Sequence, residues 1–403
     1  MTEKLAEYKK ELEMELREIL SWWIQKTIDE DHGGFVGKID HENTTCREAA
    51  KGSVLNSRIL WAFSSAYNLT KDREYREVAE RAFHYIAEHF IDKEFGGVYW
   101  SVDFKGKPLD TKKQIYALAF CVYGLSEYYR ASNNENAKKI AVYIYNDILT
   151  HSYDEKFGGY IEALTREWKQ AADLRLSEKD ANEKKSMNTH LHLLEAFASL
   201  YGIWKDRSLE QRIVEIIRIF LDHIVDSKTG HLILFFDEAW KPKSNIISYG
   251  HDIEAAWLIQ EAAALIGDDF LLDEVKTRSV QIAQAAAKGL DGDGGLWYEY
   301  DVSQQQLTRE KHSWSQAETM IGFFSTWQVT GDEKFLKRSL QSWEFVKEYM
   351  LDRTLGEWYW GVNADHSPMK EREKVGMWKC PYHNSRACIE IIQRIENIFK
   401  EKK

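Results

Sequence analysis

Three histidines lie in patterns where helical spacing would bring chemically useful side chains together. His192 follows Asn188 by four residues and Glu254 follows His251 by three, so each pair shares one helix face. His383 begins another apolar helical segment. A glutamate beside an imidazole can hold one ring nitrogen and tune the tautomer and pKa of the ring. This set of residue types indicates proton-transfer chemistry near neutral pH.

The spacing does not predict a metal or cofactor site. His190 and His192 are two residues apart and diverge on a helix, and the chain has no HExxH motif or Cys/His cluster. The segment 291–295 resembles a calcium loop in composition, but it lacks the ligand spacing of an EF-hand and is interpreted as a turn. Walker and GxGxxG patterns are missing, so no nucleotide cofactor is expected.

Polar residues of this kind recur at the starts of six segments that are otherwise apolar. Packing alone does not explain the recurrence, and helices that run in the same direction would collect these groups at one end. The groups are Asn56 and Arg58; Gln114 and Tyr116; Asn188, His190 and His192; His251 and Glu254; Trp314, Gln316 and Glu318; and Trp378 and His383.

The elements that must position these groups form two alternating sets of helical segments. One set, rich in Ala, Leu and aromatic residues, is predicted to be buried on most sides. The other set is amphipathic and charged, which is typical of helices exposed on one side. The apolar segments are 54–69, 115–130, 187–204, 251–266, 315–329 and 383–398; the charged segments are 8–28, 74–90, 136–149, 209–224, 272–287 and 333–350.

A glycine-containing turn with a few strand-like residues follows each charged segment. The turns recur roughly every 60 to 70 residues, which indicates a repeat architecture. Six charged and six apolar helices predict an all-α fold, an (α/α)6 toroid with short β-hairpin-like turns at one end, built as a single domain over residues 1–403. The turns are centred on Gly33-Gly34, Gly96-Gly97, Gly158-Gly159, Gly230-His231, Gly294-Gly295 and Gly356-Glu357.

Composition excludes several classes of protein. The net charge of −11 argues against nucleic-acid binding, which needs clustered Lys and Arg. No apolar run reaches the roughly 18 residues of a membrane span, and the charged N-terminal segment does not resemble a signal peptide. The cysteines lack CxxC spacing, which suits a reducing cytoplasm. We expect a cytoplasmic protein, a monomer or weak homodimer.

Four segments together resemble the N-acylglucosamine 2-epimerase superfamily, and within it the cellobiose 2-epimerase branch. The resemblance extends over nearly the whole chain. The segments are 52–61 (GSVLNSRILW), 187–195 (MNTHLHLLE), 248–255 (SYGHDIEA) and 378–384 (WKCPYHN).

The resemblance implies inversion of C2 in an aldose without a cofactor or metal, most typically in the reducing-end glucose of a β-1,4-linked disaccharide. It assigns His251 and His383 to proton transfer through an enediolate, and His192 to ring opening. Arg58 would stabilise the enediolate oxygen. The remaining candidates bind or orient the sugar and the imidazoles: Tyr116, Asn188, Glu254, Glu299, Trp314, Glu318 and Trp378.

The chain departs from the branch pattern at two positions near the expected second sugar. Ser313 stands where many members have the first of two tryptophans, and Tyr298 stands where they have Asn before Glu299. A mannose 2-epimerase acting on monosaccharides and an aldose–ketose isomerase therefore remain alternatives. A glycoside hydrolase that uses paired carboxylates from Glu254, Glu299 and Glu318 is the alternative from a different class.

Overall fold

A computed structural model of the chain describes residues 2–401, and twelve α-helices account for most of that range. Among these residues no helix combines the length and the apolar character that a membrane crossing needs. The helices are α1 (Thr2–Thr27), α2 (Ser53–Thr70), α3 (Arg73–Tyr85), α4 (Ile115–Ser132), α5 (Glu135–Ser152), α6 (Met187–Ile203), α7 (Arg207–Ile219), α8 (Tyr249–Ile266), α9 (Asp269–Ala286), α10 (Ser313–Thr330), α11 (Glu333–Phe345) and α12 (His383–Glu401).

The even-numbered helices form a closed inner ring. Each contacts the next, from α2 through α4, α6, α8 and α10 to α12, and α12 packs back on α2. The odd-numbered helices pack outside them. Most Leu, Ile, Val, Ala and Phe side chains of the inner helices are almost completely buried, as their apolar sequences predict, and the exceptions, such as Leu265, lie near the C-terminal ends. The predicted (α/α)6 toroid is therefore confirmed.

The inner helices turn into outer helices over very short connections. Lys71, Asn133, Gly267 and Gly331 adopt left-handed backbone conformations directly after an inner helix and terminate it. An Asp or Asn follows each of these four at once, and Asp206 lies two residues after Trp204, the extended residue that ends α6. Each accepts hydrogen bonds from the first amides of the outer helix. These capping residues are Asp72, Asn134, Asp206, Asp268 and Asp332.

Three outer helices end differently from the sequence-based expectation. The segments 74–90, 209–224 and 333–350 were each predicted as one continuous helix, but in each the last five residues form a wider π-helical turn. Periodicity does not distinguish these turns because they keep the same apolar face against the core.

Short antiparallel strands join neighbouring repeats at the end where the inner helices begin. A strand that precedes one inner helix pairs with a strand that follows the next glycine turn. The strands are β1 (Lys51–Gly52), β2 (Ser101–Val102), β3 (Pro108–Asp110), β4 (Lys113–Gln114), β5 (Ala163–Leu164), β6 (Lys185–Ser186), β7 (Phe235–Phe236), β8 (Ile246–Ser248), β9 (Glu299–Asp301), β10 (Gln306–Thr308), β11 (Lys311–His312) and β12 (Gly361–Val362).

Five of the glycine turns are held by a lysine–aspartate pair, and both side chains are buried or nearly so except for Asp291, which is 40% exposed. The aspartate accepts hydrogen bonds from amides of its own turn, and the lysine in front of the next inner helix donates to the aspartate. The Nζ–Oδ2 distances are 2.7 to 2.9 Å. The pairs are Lys51–Asp29, Lys113–Asp92, Lys185–Asp154, Lys311–Asp291 and Lys374–Asp352.

Candidate active site

The first turns of all six inner helices line one cavity of about 460 Å³. The expectation that parallel inner helices would collect polar groups at one end therefore agrees with the structure. Nine of the eleven predicted site residues lie on the cavity wall: Arg58, Tyr116, Asn188, His192, His251, Glu254, Trp314, Trp378 and His383.

His251 and His383 both pack against the Trp314 indole. The ring centroid of Trp314 is 4.8 Å from that of His251 and 5.7 Å from that of His383. His251 Nδ1 is 2.8 Å from Ser248 Oγ, and His383 Nδ1 is 2.7 Å from Glu318 Oε1. Because each Nδ1 already has a partner, Nε2 is the nitrogen that each ring can offer to a ligand.

His192 and Arg58 form the neighbouring part of the wall. His192 Nδ1 is 3.0 Å from Glu195 Oε2, and the ring meets Tyr116 edge-on at 5.0 Å. Arg58 donates a 2.7 Å hydrogen bond to the Tyr116 hydroxyl and lies over the rings of Phe120 and Tyr382. These contacts fix a permanent positive charge beside the histidines.

A buried arginine, Arg386, connects the acidic groups behind the histidines. Its guanidinium has no exposed surface and donates to Glu195, Glu254 and Glu318, with 2.6 Å bonds to the last two. The Tyr382 hydroxyl also donates to Glu195, at 2.7 Å. Three carboxylates from three helices thus share one guanidinium.

This unequal charge balance separates the pKa values of the three carboxyl groups. Burial raises the pKa of Glu195, but Arg386 and His192 outweigh burial and lower it to about 2. Burial and the nearby Glu318 raise the pKa of Glu254 to about 8, and burial also raises the pKa of Glu318. The charge of Arg386 therefore favours the ionised form of Glu195 most, whereas burial and mutual repulsion favour the protonated form at Glu254 and Glu318.

Burial keeps the histidines neutral. It lowers the pKa of His251 to about 3, with a further contribution from His192. Burial, followed by the charges of Arg58 and Arg386, lowers the pKa of His383 well below its usual range. Burial also lowers the pKa of His192, against the opposing effect of Glu195. Neutral imidazoles have the lone pair that a general base needs.

A family model described as N-acylglucosamine 2-epimerase (GlcNAc 2-epimerase) matches residues 33–387 of the chain. The cellobiose 2-epimerase of Bacteroides fragilis is 48% identical over 385 residues, which cover 95% of this chain and 98% of that protein. The chain belongs to the N-acylglucosamine 2-epimerase family. It is an enzyme of the isomerase class, a sugar 2-epimerase.

Solved structures agree with this family assignment. The cellobiose 2-epimerase from Bacillus thermoamylovorans B4167 superposes with a TM-score of 0.92 at 39% identity, covering 98% of this chain and 100% of that one. A D-mannose isomerase structure gives a TM-score of 0.83 at 21% identity, covering 96% and 97% of the two chains, and shows the shared fold alone.

Two of the predicted site residues, Glu318 and Glu299, do not line the cavity. Glu318 is fully buried behind it, where Oε1 contacts His383 and Oε2 accepts a 3.0 Å hydrogen bond from Trp257 Nε1. Glu299 lies in β9, paired with Ser248, and is not among the wall residues. Successive side chains of extended backbone point to opposite sides, and Tyr298, the residue before Glu299, is the one that lies on the cavity wall.

Other polar groups at the inner-helix starts hold the hairpins instead of facing the cavity. Gln114 Nε2 donates to the Leu174 carbonyl at 3.0 Å, and Gln316 bonds both the amide and the carbonyl of Leu296. His190 Nε2 accepts from the Tyr160 amide at 3.0 Å. The expectation that packing cannot explain these residues was wrong for this subset. Buried backbone N–H and C=O groups next to the strands need hydrogen-bond partners, and these side chains supply them.

The Arg386 cluster was not predicted, and helical spacing gives only a partial signal for it, the pairs within single helices. Glu195 follows His192 by three residues and Arg386 follows His383 by three. The rule that joined His251 to Glu254 therefore also joins these pairs.

The connecting segments also contribute wall residues that helical periodicity could not predict. Tyr298 and His312 stack with centroids 3.9 Å apart, and Asp180, Trp360 and Arg372 join them on the wall.

Glu254, Glu318 and His383 offer ligand atoms within 4.8 Å of one another, which is close enough for a metal ion. Arg386, however, donates to the facing oxygens of both glutamates. The guanidinium supplies the positive charge that a cation would supply, so this donor set does not favour a metal. In the loop at 291–295, Lys311 Nζ likewise bonds both Asp291 and Asp293, which agrees with its interpretation as a turn.

Proposed function

We propose that the enzyme inverts C2 of the reducing-end glucose in a β-1,4-linked disaccharide such as cellobiose by transferring protons through an enediolate. The observation that carries this proposal is the pair of imidazoles, His251 and His383, that both pack against Trp314 in one cavity. Inversion needs a proton taken from one face of C2 and another delivered to the opposite face, and two imidazoles can perform both steps.

His383 is the better base in the resting enzyme. Glu318 already accepts hydrogen bonds from Arg386 and Trp257, so its 2.7 Å contact with His383 is satisfied when the ring donates from Nδ1, which leaves a lone pair on Nε2. His251 contacts the Ser248 hydroxyl, which can donate or accept, so its Nε2 can carry a proton. The two rings can therefore exchange roles when the reaction runs in reverse.

Arg58, Tyr116 and His192 serve the oxygens of the substrate. A pyranose must open before its C2 proton becomes acidic, and His192 can move a proton between the ring oxygen and the anomeric hydroxyl. Removal of the C2 proton places negative charge on the O1 and O2 side of the enediolate. The fixed charge of Arg58, held by Tyr116, stabilises that charge without reorganisation.

The carboxylates favour epimerisation over glycoside hydrolysis. A hydrolase needs an acid and a second carboxylate on opposite sides of the scissile bond. Glu254 and Glu318 instead bond the same nitrogen of Arg386 from one side. They are committed to the guanidinium, which suits a role in orienting histidines.

Two features bear on the size of the sugar. The 48% identical relative is named a cellobiose 2-epimerase, which supports a disaccharide. The stacked Tyr298 and His312 and the small Ser313 form the wall where a second sugar would lie, and these residues decide how well it fits.

Incubation with cellobiose and, separately, with mannose in heavy water without added cofactor tests the proposal by NMR. We expect glucosyl-mannose with deuterium at C2 from cellobiose. Conversion of mannose to C2-deuterated glucose with no change in cellobiose would show that the substrate is a monosaccharide and not a disaccharide. Fructose would indicate isomerisation, free glucose from cellobiose would indicate hydrolysis, and inert sugars in both tubes would refute the proposal.

A further inference from the structure

The sixth glycine turn contains a glutamate in a backbone conformation that the equivalent turns give to glycine. The second turn residue has a positive φ in the first three turns, at 61° for Gly34, 64° for Gly97 and 76° for Gly159. Glu357 occupies this position in the sixth turn with φ 64°. A side chain in the left-handed region costs free energy, so such an outlier points to another role for the residue.

The Glu357 carboxylate makes three hydrogen bonds in a buried environment, where the residue is only 7% exposed. Its Oε2 accepts from Trp23 Nε1 at 2.7 Å. Its Oε1 accepts from Lys379 Nζ at 2.6 Å and from Asn384 Nδ2 at 2.8 Å. Both oxygens are therefore used by charged or polar donors from other parts of the chain.

The three donors link the closure of the ring to the cavity wall. Trp23 is on the first helix, α1, whereas Lys379 and Asn384 lie on the wall at the start of the last helix, α12. Asn384 directly follows His383, and its Oδ1 accepts from the Ser385 amide in the same turn. A carboxylate that holds Asn384 therefore also holds the backbone that carries His383.

We propose that Glu357 is a positioning residue for catalysis: its carboxylate fixes Lys379 and Asn384 against α1 and thereby sets the position of His383. The proposal rests on the proposed function, in which His383 transfers the C2 proton. The geometry of the turn does not require this glutamate, because the first three turns form with glycine. The lysine–aspartate pair that holds the other turns is also present here, between Lys374 and Asp352.

Glu357→Gly tests the proposal because glycine accepts the left-handed backbone and removes only the carboxylate. We expect kcat for C2 exchange to fall about 100-fold, with a smaller change in KM, because small displacements of a catalytic group have effects of this order. Glu357→Gln keeps one acceptor oxygen and should restore part of the activity, leaving kcat about 10-fold below wild type.

Lys71→Gly is the matched control. Lys71 is an exposed residue with φ 62° directly after the C-terminus of α2, whereas the cavity lies at the N-terminal end of that helix, so this variant makes the same backbone change without removing a site contact. Its kcat and KM should equal those of the wild type. All rates refer to the folded fraction measured by circular dichroism.

Wild-type kcat in folded Glu357→Gly, or a change in KM alone, would overturn the proposal. If that variant does not fold, wild-type kcat in Glu357→Gln would overturn it instead. If the wild-type enzyme is inactive on every sugar tested, the proposed function fails, and amide hydrogen exchange of residues 378–386 becomes the measurement for Glu357. Faster exchange there in Glu357→Gly but not in Lys71→Gly supports the positioning role, and unchanged exchange refutes it.

Discussion

Two sets of buried charges lie at the same end of the toroid, the lysine–aspartate pairs of the glycine turns and the Arg386 cluster behind the cavity. Each pair joins one lysine to one aspartate, and in four of the five both partners also bond turn backbone. Arg166 also pairs with Asp92, and Asp293 also pairs with Lys311. The Arg386 cluster has three carboxylates for one guanidinium and contacts two cavity histidines. The pairs occur in five repeats, whereas the cluster is assembled once.

Whether a polar residue recurs in every repeat indicates what that residue does. A buried charge that recurs with the repeat serves the repeat, because every unit has the same turn to hold. A buried charge that breaks the repeat serves something that the protein has once. The pKa values agree with this distinction. Burial raises the pKa of Asp29, Asp154 and Asp352, but the paired lysine and the turn amides outweigh burial and lower it, whereas the carboxyl groups of the Arg386 cluster have divergent pKa values.

The largest effect on catalysis should come from the cavity side of this comparison. We expect His383→Ala to lower C2 exchange about 10³- to 10⁴-fold, because it removes a group that transfers the proton directly. NMR-detected deuterium incorporation measures the rate, and circular dichroism should show an intact fold. Retained exchange would refute the assigned role.

The turn side should respond in stability and not in rate. Lys185→Met leaves the Asp154 carboxylate buried without its partner, and we expect unfolding to become easier by about 3 to 5 kcal/mol. Denaturant titration measures the change, and kcat of the folded variant should match the wild type. Lys185→Met combined with Asp154→Asn, which removes both charges, should recover part of the stability; no recovery would contradict a charge-pairing role.

Arg58 tests whether the charge beside the histidines stabilises the transition state. We expect Arg58→Gln to lower kcat about 10²- to 10³-fold, because it removes a donor aimed at developing negative charge. Arg58→Lys keeps the charge but loses the planar fork, and should retain more activity. Equal kcat in the wild type and Arg58→Gln would rule this role out.

The same variant makes a signed prediction about pH. Burial, Arg58 and Arg386 hold the pKa of His383 below its usual range, so the base stays deprotonated into the acidic range. Removing the charge of Arg58 raises that pKa, and protonation then inactivates the base at a higher pH. The acidic limb of kcat/KM should therefore move to higher pH in Arg58→Gln and move less in Arg58→Lys. A shift in the opposite direction would refute His383 as the titrating base.

His190 and His192 lie two residues apart on α6, and we expect their substitution to have the smallest effects. His190 bonds the Tyr160 amide and the Ser186 carbonyl, so His190→Ala should destabilise the fold by about 1 to 3 kcal/mol and leave kcat unchanged. His192→Ala should instead lower kcat with less effect on stability, because its ring faces the cavity. Thermal melts and initial rates of both variants check this. Loss of rate in His190→Ala and loss of stability alone in His192→Ala would refute the roles given to the two histidines.

Local sequence features were sufficient for the fold and for much of the site. The alternation of apolar and charged segments and the glycine-containing turns are set by residues close together in the chain, so periodicity revealed them. Helical spacing also placed His192 with Asn188 and His251 with Glu254 on shared helix faces. The expected ring partner was wrong for His251, because Ser248 contacts its Nδ1 and Glu254 accepts from Arg386. These groups share a cavity because all inner helices run in the same direction.

Packing between the helices determines which polar groups at the helix starts face the cavity. The inner helices are apolar on most sides, so their sequences do not indicate how each is rotated about its axis. Packing sets that rotation, and it directs His192 to the cavity and His190 to a hairpin. Packing likewise brings Glu195, Glu254 and Glu318 from three helices to Arg386, which is 68 to 191 residues away along the chain. Spacing within one helix cannot encode a contact between helices, and the chemistry depends on that contact.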